Sequence, residues 1–487
     1  MPAARRAPSG WAGRRAVPGA GPAGRREPMA AADAAWLRID SPRNRLTIVG
    51  AWFLEAPIAP ASLAQRLRDG LLAHRRLRQV PQLQADGAWW VDDPSFDLDQ
   101  HLRLAALPRG GGQPALHRLL ARLAASPLPA GRPPWQVHLV AGVEGGCALV
   151  MRLHHCIADG VALMGLARAI ADPPPARGRH VAPDTASLAV GSGADGGPRP
   201  SAPDSASRGD LAEFGAGLLR GALEIATLDD DSPTSLKGPP AGRKALGWNE
   251  PLPLADVLAS ARVLGVSVND LLLSCVAGAL RRHLAAVGEA VDGVSVRVLV
   301  PVNLRDSVEP PDLGNRFGLV PVRLPVGTAD PFARLHALHR QTTALKAGML
   351  APLSHALSGL VAHAPAALGA ALVGHLGRKV SAVVSSLSGP TESLRLVGQR
   401  VRRMIFWVPQ AGTVGLGISI LTYDGQVQVG VLGDAALCPD PHALAAGLNA
   451  EFDALLLALA MLPRGALAAG LPEPGVVAAE LFGMQPA

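Results

Sequence analysis

Apolar residues recur along this chain at two spacings, and together they predict a mixture of helices and strands. Residues 47–54 form an apolar, strand-like run, while residues 60–76 follow the spacing of an amphipathic helix. Residues 135–141 and 147–153 read as the two strands of a hairpin turning at Gly145-Gly146, and 161–167 as a helix. Further on, Asn269 or Asp270 is placed to cap a long helix running through Leu271, Leu272, Leu273, Val276 and Leu280 to Arg281 and Arg282. Residues 294–300 form a buried-type strand that ends in Pro301-Val302-Asn303-Leu304-Arg305. Gly314-Asn315 turns into a strand over 319–324, Ser385 to Pro390 is a strand end with a turn, and 415–425 is a strand entering a hairpin. Residues 172–208 are dense in Pro, Gly, Ser and Ala and read as a flexible linker. The pattern therefore predicts a first unit over 33–171, a second over 211–462, and tails at 1–28 and 463–487.

Composition supports well-packed units, because 487 residues with 48% hydrophobic and 17% charged side chains can bury two cores. Cys147, Cys156, Cys275 and Cys438 are scattered with no C-x-x-C pair, as expected of small buried hydrophobes in a reducing, cytoplasmic compartment. Cys156 is read as space-filling. The net charge of +7 misleads: residues 1–28 carry six arginines and one acid, so the remainder is only +2. That excludes the charge signature of a nucleic-acid binder. The basic tail is expected to be disordered, with Met29 as an alternative start and a lipid-binding arm as its functional reading. No segment reads clearly as a membrane span. The nearest, 352–376, is interrupted by His355, His363, Pro365 and His375 and suits a buried or interfacial helical pair.

The chemistry concentrates in Leu153-His154-His155-Cys156-Ile157-Ala158-Asp159-Gly160, between a strand-like and a helix-like run. An imidazole held at a strand end can take a proton from a hydroxyl near neutral pH, which makes acyl transfer the leading reading. Two other readings stay open at this level. Asp159 can be a helix N-cap in a purely structural turn. His155 and Asp159, four apart, would share a helix face as metal ligands, but no third ligand lies nearby and no metal site is expected.

The order of these pieces resembles the bacterial wax ester synthase/acyl-CoA:diacylglycerol acyltransferase family. The resemblance runs from about Ala32-Asp33-Ala34-Ala35-Trp36 to about Glu451. It includes the His154 to Gly160 segment, Asn269-Asp270, Pro301 to Arg305, Gly314-Asn315 and Ser419 to Gly425. The His-His-x-x-x-Asp-Gly motif alone is shared more widely, with chloramphenicol acetyltransferase and peptide-synthetase condensation domains. The resemblance implies an α+β protein of two chloramphenicol-acetyltransferase-like domains, with an active-site channel between them. It implies His155 as general base, His154 orienting the loop, Asp159 as a structural partner of Arg305, and Gly160 allowing close backbone approach. Asn269 and Asp270 would be supporting residues.

Acyl-CoA would be a substrate, with no cofactor, and the acceptor a long-chain alcohol or diacylglycerol, met at a membrane or lipid inclusion. The chain departs from the family where Pro129 replaces an acid, Pro134 a leucine and Ser386 an asparagine. The alternatives kept open are an acyltransferase using a carrier-protein thioester or polyketide-type alcohol, and a non-catalytic lipid-binding protein of the same fold.

Overall fold

The computed structural model describes residues 25–173, 227–305, 313–346, 354–355 and 366–462. In chain order the first part holds β1 (Arg26–Pro28), α1 (Ala31–Ile39), β2 (Thr47–Leu54), α2 (Pro60–Gly70), β3 (Gln79–Gln84), β4 (Gly87–Asp92), β5 (Leu102–Ala106), α3 (Gly112–Ala125), β6 (Trp135–Val143), β7 (Gly146–His154) and α4 (Gly160–Ile170). The second part begins with β8 (Lys244–Trp248), β9 (Leu252–Pro253), α5 (Leu254–Leu264), α6 (Val268–Ala286), β10 (Val296–Asn303), β11 (Phe317–Leu324), α7 (Pro331–Lys346) and α8 (Ala366–Lys379). It ends with β12 (Ala382–Ser388), β13 (Arg395–Leu396), β14 (Gln399–Trp407), β15 (Leu416–Tyr423), β16 (Gln426–Asp434) and α9 (Pro441–Met461).

Two mixed sheets carry the molecule, ordered β13-β14-β2-β7-β6-β5 and β11-β10-β12-β15-β16-β8, with β9 paired to β16. Helices cover both, giving the expected α+β architecture. The second core packs α6 and α9 against the second sheet through Leu272, Val276, Leu280, Ile418, Val429 and Leu448. Against the expected two-unit division, β13 and β14 come from the second part of the chain yet belong to the first sheet. There β14 runs antiparallel to β2, pairing Trp407 with Val49 and Phe406 with Gly50. Apolar patterning identifies a strand but not its partner, so this exchange is invisible in the sequence.

Several local expectations need correction. The helix expected over 60–76 stops at Gly70 and continues as 3-10 turns, Leu71–Ala73 and Arg75–Arg78. A Cβ at Gly70 would meet the Ala169 carbonyl at 2.3 Å, so the residue lets α2 approach α4 closely. The β6–β7 turn is Glu144-Gly145, both at positive φ, and Gly146 already opens β7. The α6 cap is Ser267, whose hydroxyl accepts from the Asp270 N–H in a capping box, rather than Asn269 or Asp270.

Residues 26–28, assigned to the disordered tail, form β1 beside β4. Glu27 there pairs with Arg75 and Arg76. Residues 1–24, the linker from 174 onward and the tail at 463–487 lie outside the described residues. Among the described residues one helix, α9, is long and apolar enough to cross a bilayer, although no such segment was expected. Its Glu451, bonded to Arg334 and Arg282, and its buried stripe from Leu444 to Leu455 tie it into the second core.

Candidate active site

The loop after β7 is held by backbone bonds to both halves of the chain. His155 N–H donates to the Leu46 carbonyl at 2.8 Å, and Gly314 N–H donates to Ile157 at 2.9 Å. Asp159 N–H returns a bond to Gly314 at 3.2 Å. Asp159 caps α4, its Oδ1 accepting from Ala162 N–H at 3.0 Å. Its Oδ2 accepts from the Arg305 guanidinium and, at 2.9 Å, from Arg316 N–H. Arg305 also donates to the Gly314 carbonyl at 2.9 Å. The buried carboxylate therefore accepts from Ala162, Arg305 and Arg316 together and is occupied as a brace.

A cavity of about 360 Å³ opens where the halves meet, within the usual range of small-molecule sites. Trp36, His155 and Gly160 line it from one side, and Asn303, Phe317 and Ser386 from the other. His155 is 8% exposed and stacks on Trp36 with ring centroids 4.4 Å apart. Burial pushes its pKa down to about 4, partly opposed by its own carbonyl and by the Asp159 charge. The ring is therefore neutral at physiological pH. Its Nδ1 lies 2.9 Å from Asn315 Oδ1, which leaves Nε2 as the nitrogen free to act.

The other expected residues sit nearby in different roles. His154 turns away from the cavity: its Nδ1 accepts from Cys156 N–H at 3.1 Å, and its Nε2 lies 3.8 Å from Asp40. Gly160 accommodates a side chain rather than a backbone, since a Cβ there would meet Leu387 Cδ2 at 2.6 Å. Asn269 Oδ1 accepts from Ser386 Oγ at 3.0 Å, so Ser386 takes up a bond next to the cavity wall. Asp270 faces α7 instead, accepting from Thr342 Oγ1 at 2.7 Å and meeting His339 Nδ1 at 3.0 Å. Cys156 is buried and its thiol is pushed well upward, so it is no thiolate nucleophile.

Sequence reasoning gave no role to Trp36, Asp33, Asn315 or Phe317. The first three stood inside pieces that carried the resemblance, but nothing in one dimension joins Asn315 to a histidine 160 positions earlier.

The geometry agrees with comparisons to known proteins. Residues 29–198 match the wax ester synthase/diacylglycerol acyltransferase catalytic domain, and residues 313–456 the C-terminal domain of the same family. A probable diacylglycerol O-acyltransferase of Mycobacterium tuberculosis is 33% identical over 402 residues, covering 80% of this chain and 85% of that protein. Among solved structures, the wax ester synthase/diacylglycerol acyltransferase of Marinobacter aquaeolei aligns with a TM-score of 0.66 at 21% identity, covering 89% of this chain and all of that one. A starter condensation domain of rhizomide synthetase aligns at 0.54 and 17% identity, covering 92% and 95%. These last two share the fold. With both family domains matched and the motif loop joined across them, the chain belongs to the wax ester synthase/diacylglycerol acyltransferase family.

Proposed function

We propose that this protein is an O-acyltransferase that moves a fatty acyl group from acyl-CoA to a long-chain alcohol or diacylglycerol, forming wax ester or triacylglycerol. The observation that carries the reading is a neutral, buried imidazole, anchored through Nδ1, in a cavity lined by both halves. His155 Nε2 takes the proton of the acceptor hydroxyl as its oxygen attacks the thioester carbonyl. The tetrahedral intermediate then collapses, the C–S bond breaks, and the leaving CoA thiolate recovers the proton from His155. Atoms balance with ester and free CoA as products, and the cycle needs neither cofactor nor metal. Arg168 lines the cavity while staying exposed, where a cation suits the phosphates of CoA. An apolar crevice sharing Met164 with the cavity runs past Trp52, Leu149 and Phe406 and suits an aliphatic chain.

Palmitoyl-CoA supplied with hexadecanol, with diacylglycerol, or with no acceptor should yield ester in at least one of the first two mixtures. Release of CoA without any ester overturns the reading.

The same proposal places the enzyme at a cytoplasmic membrane surface or lipid inclusion, attached peripherally by apolar surface. Part of the expected patch, 352–376, lies outside the described residues. In α8, Ala371 is exposed while Val373 packs against Gly412, so part of that run faces inward. Apolar attachment is barely screened, so flotation with neutral liposomes should persist at high salt. Binding that high salt abolishes rules out this mode.

A further inference from the structure

We infer that Asp33 and Asn315 are positioning residues for His155: Asp33 holds the Asn315 amide in one orientation, and that amide keeps the imidazole proton on Nδ1, so that Nε2 is the basic nitrogen. The inference rests on the reading of His155 as the base. The amide's orientation follows from its neighbours. Asn315 Nδ2 donates to Asp33 Oδ1 at 2.8 Å and to the His155 carbonyl at 2.8 Å. Both partners are acceptors at neutral pH, so the reversed amide would set an oxygen against two oxygens. The Asn315 oxygen must therefore face His155 Nδ1, 2.9 Å away. An amide oxygen only accepts, which requires the ring proton on Nδ1.

Asp33 is itself fixed. It lies on α1, is 2% exposed, and its Oδ1 also accepts from Asn315 N–H at 3.0 Å. Arg76, in the 3-10 turn after α2, lies 3.5 Å from its other oxygen and stacks over Trp90. Glu27 on β1 receives a bond from Arg76 at 3.3 Å. The chain Glu27–Arg76–Asp33–Asn315–His155 thus runs from β1, the edge strand of a three-stranded sheet ordered β1-β4-β3, to the base. A Cβ at Gly314, which has φ +111°, would stand 3.5 Å from Asp33 Oδ2. That contact is ordinary; it is the positive φ, which L side chains rarely adopt, that gives the Gly314-Asn315 pair a physical reason.

The charged and titratable groups facing Asp33 are Arg76, Asp159 and the Cys156 thiol, and those facing His155 are Asp159 and His154. Burial raises Asp33 to about 6, against hydrogen bonds from Asn315 and the attraction of Arg76. Above that pH its negative charge polarises the Asn315 amide and supports the imidazolium that forms during proton transfer. Below it, that support is lost. Turnover should therefore fall on the acid side near pH 6, well before His155 itself titrates.

Two full-chain variants test the inference. Asp33→Asn keeps an oxygen for Asn315 while removing the charge and the acceptor that faces Arg76, and Arg76 keeps Glu27. It should lower kcat by roughly 10- to 100-fold, by analogy with the loss of an outer-shell partner behind a metal-bound imidazole. KM should hold, the acid limb near pH 6 should disappear, and the melting temperature at pH 8 should stay level or rise, because a buried carboxylate has been neutralised. A merely structural Asp33 would instead lower melting temperature with activity.

The second test needs no turnover. Nitrogen-15 histidine spectra, with His155 assigned by its loss in His155→Ala, should report one tautomer carrying the proton on Nδ1 in the wild type. In Asn315→Ala they should report a mixture. An unchanged single tautomer in Asn315→Ala, or an Asp33→Asn enzyme that keeps both its rate and its acid limb, overturns the inference. A wild-type protein that makes no ester but shows the tautomer change would overturn the acyl-transfer reading and keep only the orientation of His155 by Asn315.

Discussion

Replacing His155 with alanine should cut ester formation by about 10²–10⁴-fold, the usual contribution of a positioned general base. The fold should survive, because the ring borders a cavity and its backbone bond to Leu46 remains. The variant should also change the pH dependence of stability. Unfolded, a histidine titrates near 6.5, whereas folded His155 titrates at about 4. The unfolded chain therefore binds more protons between these values, and the stability due to the neutral ring is lost as pH falls from about 6.5 to about 4. His117 and His138, also pushed down to about 4 by burial, act in the same direction and persist in the variant. Asp33 acts in the opposite sense, since its raised pKa costs stability as pH climbs toward about 6. Turnover and melting curves measured together at pH 5 and pH 7.5 check both parts. Near wild-type turnover in a folded His155→Ala protein removes His155 from the mechanism.

Removing Arg305 should do the reverse, damaging stability and activity together. Arg305→Ala leaves the Asp159 carboxylate buried without its cation, a change that typically costs about 3–5 kcal/mol. Two backbone donors, Ala162 N–H and Arg316 N–H, remain to blunt the loss. Against a total stability of about 5–15 kcal/mol this is severe, and it also loosens the loop that carries His155. Denaturant unfolding beside turnover distinguishes a brace from a chemical participant. If activity collapses while the midpoint stays put, the structural assignment of the pair is wrong.

Much of the fold was readable because its signals are local. The run Thr47–Leu54 forms a strand with the expected limits, and the β6–β7 hairpin lies where two apolar runs flank a turn. The Asp159–Arg305 contact was legible through the resemblance, which implies an arginine holding the motif loop, a role that Arg305 at a strand end suits. What escaped was non-local or a matter of competition between neighbours. Ser267 outcompeted Asn269 as a cap because Asp270 completes the reciprocal bond from the third helical position. Asn315 and Asp33 were visible only as letters, because their meaning lies in an amide placed between α1 and the β7 loop. The Pro60–Gly70 helix was overextended because the apolar spacing continues through the 3-10 turns that follow it.

The exchange of β14 into the first sheet has a consequence for how the protein is made. During synthesis β2, β6 and β7 emerge early, and about 250 residues must follow before Trp407 is in place. At roughly 5–20 residues per second that is about 10–50 s. Throughout that interval one edge of β2, the uncharged run Thr-Ile-Val-Gly-Ala-Trp-Phe-Leu, lacks its partner. The nascent chain thus spends its most aggregation-prone period waiting for a strand from its other half. Its yield in the cell should depend more on what shields that edge on the ribosome than on the stability of the finished fold.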